Sequence, residues 1–155
     1  KPILRQNNLV DIINENINFL KELDNSIEIN FNKNSNQTYL ESDKEQLNRV
    51  FLNLIKNSIE SIAQKAEKNS NFNKNITIEL GEDDSHISVI IADTGIGFEN
   101  FERDIKDVLN PYFTTKKNGT GLGLSIVNKI INDHNGKIEF IPINNGAKIQ
   151  IKFIK

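Results

Sequence analysis

The chain contains no cysteine, no methionine and no tryptophan among its 155 residues. Without cysteine there are no disulfide staples and no thiolate metal site, so an apolar core must carry the fold. Histidine is scarce too: His86 and His134 are the only two, far apart in sequence, which argues against a zinc cluster. An excess of charge of one sign is also missing. Nineteen basic side chains are interspersed with 21 acidic ones for a net charge of -2, giving neither a basic field for nucleic acid nor a polybasic helix for direct membrane contact. No apolar run is long enough to span a bilayer, and no signal peptide opens the chain. A cytoplasmic domain is the simplest reading. What is present is ordinary: 37% hydrophobic and 26% charged residues, at a length that suits one compact domain with a real core. The first residue is Lys1 rather than Met, so the sequence reads as a piece of something longer.

Periodicity supplies the elements. In "LVDIINENINFLKE" (9–22), Leu9, Ile12, Ile13, Ile17 and Leu20 recur at helical spacing. "SIEINF" and "QTYLES" alternate as two short strands. Asp43 is a fitting N-cap, with Gln46 completing a capping-box pattern, for a helix running to about Ala66. "KNSNFNKN" reads as a surface loop. "ITIEL" and "HISVIIAD" form a strand pair around "GEDDS", and residues 98–118 a long connection. A last helix ends near "HNG", where Gly136 suits a left-handed cap, and "KIEFIPI" and "AKIQIKFI" close the chain as a hairpin across "NNG". The pattern predicts an α/β two-layer sandwich, with helices on one face of a mixed sheet.

Three stretches carry candidate chemistry. "GTGLGL" (119–124) opens the last helix, where free N–H groups and the helix dipole favour an anion. It matches neither the P-loop nor the dinucleotide-binding pattern, so by itself it serves phosphate contact or a tight turn equally well. "DTGIGF" (93–98) follows an apolar strand; its Asp93 carboxylate either reads an amino group in a pocket or makes an Asx-turn. On the long helix, Asn53 and Asn57 lie four residues apart, off the stripe of Leu47, Val50, Phe51, Leu54, Ile55 and Ile62. Their carboxamide oxygens suit a hard cation such as Mg²⁺, although two asparagines on a solvated face need no function.

Taken in order, "NLIKNSIESI", "DTGIGF", "PYFTTK" and "GTGLGLSIV", with "DHNGKIEF" trailing, resemble the N, G1, F and G2 boxes of sensor histidine kinases. These belong to the gyrase, Hsp90, histidine-kinase and MutL superfamily of ATP-binding domains, and the wording is most similar to the nitrogen-regulation and sporulation-kinase branch. The resemblance implies a Bergerat-type pocket for MgATP, covered by a mobile ATP lid; residues 99–118 are expected to be mobile without nucleotide. Asn57 would hold the Mg²⁺, with Asn53 beside it near the phosphates. Asp93 would take the adenine amine, Gly95 and Gly97 would let the base approach, and Ile96 and Leu122 would wall it. Gly119, Gly121 and Gly123, with Thr120 in the same turn, would present backbone amides to the phosphates. Phe113 would anchor the lid, and Lys116 or Lys117 would reach a phosphate oxygen.

Position 53 discriminates among the relatives. Those that hydrolyse ATP or phosphorylate serine carry a Glu there as general base, whereas Asn53 cannot take a proton at neutral pH. A neutral imidazole already offers a lone pair, so the resemblance favours transfer to histidine. The chain departs from the family pattern at Glu60, where many members have Lys, at Ala147, where Thr is common, and at Ser58, where Ala is usual. Glu60 and Ala147 keep open a non-catalytic ATP- or ADP-binding sensor. Neither His86 nor His134 sits in a phosphoacceptor context, and His134 is expected to be structural, its partial charge suiting a helix end. The acceptor is therefore expected on a separate dimerisation domain of the same protein, with a response regulator downstream. Residues 1–8 would be the connection from that domain and residues 9–155 the catalytic domain, in the cytoplasm or on the cytoplasmic side of a membrane-bound sensor.

Overall fold

The computed structural model describes residues 1–97 and 123–155. The expected lid and its contacts therefore lie outside the described residues. Among the described residues, seven strands and three helices follow in the order β1 (Arg5–Asn8), α1 (Leu9–Leu20), β2 (Glu28–Lys33), β3 (Tyr39–Ser42), α2 (Lys44–Lys68), β4 (Asn75–Glu82), β5 (His86–Asp93), α3 (Gly123–Asp133), β6 (Gly136–Ile141) and β7 (Ala147–Ile154). The main sheet has the order β2-β4-β5-β7-β6. β2 runs parallel to β4 while every other pairing is antiparallel, so the sheet is mixed, as the sequence predicts.

Alternation sets the faces. Ile76, Ile78 and Leu80 of β4, Ile87, Val89 and Ile91 of β5, and Ile149, Ile151 and Phe153 of β7 are all buried, and their intervening neighbours are less so. That row meets the stripe of α2 formed by Leu47, Val50, Phe51, Leu54, Ile55, Ile59 and Ile62. Each such side chain removed from water contributes roughly 1.5–3 kcal/mol, which is the main force holding the two layers together. Asp93 has the same parity as Ile87, Val89 and Ile91. The strand therefore drives a carboxylate into the interlayer space.

The helix ends explain how α2 is aimed. Asp43 caps it by accepting the Gln46 N–H at 3.2 Å, but the return half of the expected capping box is not made. The Asp43 N–H instead donates to Nε2 of buried His134 at 3.0 Å, and Gln46 Oε1 is buried without a partner. Nδ1 of His134 lies 2.8 Å from the Ile130 carbonyl, to which it must donate once Nε2 accepts. His134 is thus structural, but through a neutral ring bridging α3 to α2 rather than through positive charge. The cap of α3 also differs from the expectation of a left-handed Gly136. Asn135, with φ 57°, takes the left-handed conformation, and Gly136 already belongs to β6. A Cβ at Gly136 would lie 2.9 Å from Ile131 Cγ2 and 3.0 Å from the Lys152 carbonyl oxygen, so close packing explains the glycine.

The two early strands part company: β2 joins the main sheet, while β3 pairs with β1 in a separate two-stranded sheet. Residues 5–8, part of the segment expected to be a connection, are thereby built into the fold. Asn8 closes that corner, its Oδ1 accepting from Val10 N at 3.1 Å and Thr38 N at 2.9 Å. Asn16, buried on α1, donates to Asn48 Oδ1 at 3.2 Å and ties α1 to α2. No helix among the described residues is long and apolar enough to cross a membrane.

Candidate nucleotide-binding site

Asp93 ends β5 and is only 7% exposed. Burial pushes its carboxyl above the usual carboxylate range, partly offset by hydrogen bonds from the Gly95 N–H, the Ser58 side chain and the Ala147 N–H, and by the nearby Lys65 charge. The Gly95 N–H donates to Oδ1 at 2.9 Å, an Asx-type contact that closes the turn. The turn and the inward-facing carboxylate, alternatives in the sequence, therefore coexist. Ala147, whose side chain has no hydroxyl to offer, still contributes through its backbone, because β7 pairs Ala147 directly with Asp93.

The following residues are pinned on both sides. Ile96 N–H donates to Ser61 Oγ at 2.9 Å, and Lys65 Nζ donates to the Thr94 carbonyl at 3.0 Å. Lys65 also lies 4.6 Å from the Phe72 ring centroid, a cation–π distance. Thr94 Oγ1 accepts the Asn75 N–H at 3.0 Å and donates to the Asn73 carbonyl at 2.8 Å. The loop 93–97 is thus fastened to α2 by one flank and to the start of β4 by the other.

Glycine is demanded here by protein packing. A Cβ on Gly95 would fall 2.2 Å from Ser61 Oγ and 2.7 Å from the Ser61 carbonyl carbon. Gly97 has φ +72°, and a Cβ there would sit 2.2 Å from the Gly146 carbonyl oxygen. A Cβ on Gly146 would in turn come within 1.9 Å of the Asp93 carbonyl oxygen. The resemblance reads Gly95 and Gly97 as room for a base; the geometry supplies a sufficient reason in the approach of α2 and of the β6–β7 turn. Gly123 differs. It opens α3, and nothing among the described residues would lie within 4 Å of a Cβ there.

Asn53 and Asn57 are half-buried, one turn apart on α2, with Asn57 immediately before Ser58. The structure therefore seats Asp93, Gly95 and Ile96 on the stretch of α2 that carries Ser58 and Ser61, directly after Asn57 in the chain, while Gly97 packs on Gly146. Phe113, Lys116, Lys117, Gly119, Thr120, Gly121 and Leu122 lie outside the described residues. Ser61, Lys65 and Gly146 escaped the sequence reading. The available signal was spacing: Ser61 and Lys65 follow Ser58 at i+3 and i+7, on the same side of the helix.

A two-layer α/β domain with a buried strand-end carboxylate facing a long asparagine-bearing helix defines a nucleotide-binding class. Residues 42–155 match the family described as histidine kinase-, DNA gyrase B- and HSP90-like ATPase, and the chain belongs to that family. It is 33% identical over 145 residues to the sensor histidine kinase ZraS of Salmonella typhi, covering 92% of this chain and 29% of that protein. It is likewise 33% identical over 153 residues to a putative NtrY-like sensor histidine kinase of Rickettsia prowazekii, covering 98% of this chain and 24% of that one. The chain thus spans roughly a quarter of the length of the curated relatives it matches. Among solved structures, the nucleotide-free catalytic domain of histidine kinase ThkA superposes with a TM-score of 0.83 at 28% identity, covering 99% of this chain and 96% of that one. ThkA in complex with the response regulator protein TrrA gives 0.78 at 26% identity, covering 98% of this chain and 42% of that one. Fold and sequence alike are those of the ATP-binding catalytic domain of sensor histidine kinases.

Proposed function

We propose that this chain binds MgATP and transfers its γ-phosphate to a histidine on a dimerisation domain of the same protein, from which a response regulator receives it. The carrying observation is Asp93: a carboxylate buried at a strand end, held by N–H donors and a hydroxyl against α2. Such a group is costly to bury, and an adenine amine is a fitting donor for it. In this reading Ile96 flanks the base, and Asn53 and Asn57 lie toward the phosphates. The backbone amides of residues 119–123, Lys116 and Lys117 meet the phosphate oxygens, and Phe113 anchors the covering segment.

The donor set fits a magnesium ion shared with substrate. Among the described residues no group of three or more His, Cys, Asp or Glu forms a cage for a metal ion. A cation beside Asn57 would draw most of its shell from phosphate oxygens and water, as Mg²⁺ ordinarily does. When bound it neutralises charge on the phosphates; Asn57 supplies a carboxamide oxygen to orient it. Asn53 cannot deprotonate a water or a hydroxyl, so it positions rather than acts as base, and the neutral acceptor imidazole attacks through its own lone pair. Phosphoryl transfer needs chiefly alignment and charge stabilisation, for which this sparse set suffices. The domain would work in the cytoplasm or on the cytoplasmic side of a membrane-anchored sensor.

Mixing the chain with a purified acceptor domain and γ-labelled ATP should yield acid-labile, base-stable phosphohistidine. An acceptor that is labelled by its own full-length kinase, yet stays unlabelled here, would overturn the reading.

A further inference from the structure

Two serines of α2 stand where the proposed metal helix touches the loop that follows β5. Ser58 is buried and its side chain hydrogen-bonds the Asp93 carboxylate. Ser61, one turn on, accepts the Ile96 N–H at 2.9 Å. Between these two contacts the backbone of Gly95 passes so near Ser61 that no side chain fits. The loop is therefore seated on the helix at consecutive turns, with Asp93 at one end and Ile96 at the other.

The arrangement has a chemical consequence. A buried carboxylate is driven toward its neutral form, and each hydrogen bond to the charged form opposes that drive. The Ser58 hydroxyl is the side-chain donor in a shell otherwise made of backbone N–H groups. Ser61 does not touch Asp93; it fixes the peptide that follows Gly95, whose N–H holds Oδ1. Removing either hydroxyl leaves the fold's apolar contacts in place but frees the carboxylate to rotate or to lose charge.

We propose that Ser58 and Ser61 are positioning residues for adenine recognition, setting Asp93 and its loop from the same helix that carries Asn57. This rests on the nucleotide reading above. It makes the purine end and the phosphate end of the ligand answer to one rigid element, so that a shift of α2 disturbs both together.

The test compares two magnesium-loaded, non-hydrolysable triphosphates by calorimetric titration: an ATP analogue, and its counterpart with purine lacking the 6-amino group. Wild type should prefer the adenine compound by about tenfold or more, the scale of a hydrogen bond to a charged group. Ser58→Ala should narrow that preference most, to within about threefold, and Ser61→Ala should narrow it less. Ser61→Thr, which keeps the hydroxyl, should restore it. Alanine is at least as good a helix former as serine, so the variants should fold, and melting curves check this. An unchanged preference in both alanine variants, or equal weakening toward both compounds, would overturn the positioning role, since merely structural damage does not distinguish the amine. Wild type ignoring both compounds would be a different result: the nucleotide reading itself would fall, and this inference with it.

Discussion

Gly95 and Gly123 belong to the two glycine-bearing stretches of the proposed site, and the described chain surrounds them in opposite ways. Gly95 is jammed against the backbone of α2, whereas Gly123 begins α3 with nothing described near its missing side chain. The purine side is thus a finished piece of protein architecture, closed by Ser58, Ser61, Lys65 and the β6–β7 turn. Identical residue types in similar motifs therefore need not share one reason: the packing of the fold itself demands Gly95, while the role of Gly123 toward phosphate belongs to the proposed function.

The largest expected effect is at the crowded side. Gly95→Ala should cost about 3 kcal/mol or more of stability, because the clash is with helix backbone and cannot be relieved by a rotamer change. A melting temperature within a few degrees of wild type would break the contrast at once.

Asp93→Asn separates recognition from stability. Nucleotide affinity should fall by about 1–3 kcal/mol in titration, while the folded domain gains. The sign follows from burial, which raises the folded-state pKa of this carboxyl. The stability associated with its protonated form is fully present below its unfolded pKa, about 3.9, and is lost as pH rises through the higher folded value. The variant should therefore melt above wild type at neutral pH, with the gap closing on acidification in parallel thermal scans. A gap that widens toward low pH would contradict the assignment.

His134→Ala probes the far end of α3, which the protein does hold. Losing the acceptor for the Asp43 N–H should cost about 1–3 kcal/mol in chemical denaturation, and nucleotide affinity should change far less than for Asp93→Asn. The smallest effect on folding belongs to Gly123→Ala, which should be neutral or stabilising by up to about 1 kcal/mol, since alanine suits a helix better. Under the proposed function, in which the turn before α3 meets the phosphates, the same change should nevertheless weaken MgATP binding relative to adenosine. Equal affinity for both ligands before and after would leave Gly123 without a ligand role.

Most of the layer architecture was legible because it depends on local period. Alternation in "HISVIIAD" assigns Asp93 to the buried row, and helical spacing from Leu47 to Ile62 identifies the stripe that covers it. What escaped depends on partners distant in the chain. "RQNN" has no apolar alternation, and β1 exists because β3 offers it a ladder. β2 and β3 look alike in sequence, yet one pairs in parallel with β4 and the other leaves the sheet; short-range patterning carries no record of register. The capping-box expectation failed because a histidine 91 residues away captured the Asp43 N–H. Likewise Ser58 reads in the sequence only as a departure from the usual alanine, and it is the fold that brings Asp93 to it. Within the site, the residue types were visible and the reasons for the glycines were not.

The position of β7 bears on how the molecule is completed. The last strand is inserted between β5 and β6 rather than added at a rim. Synthesis must therefore pass β7 before the sheet can close. A chain stopped short of Ala147 would leave β5 and β6 each with a raw edge able to recruit a stranger's strand. A nonsense codon ahead of Ala147 should thus be read as an aggregation hazard rather than as mild trimming.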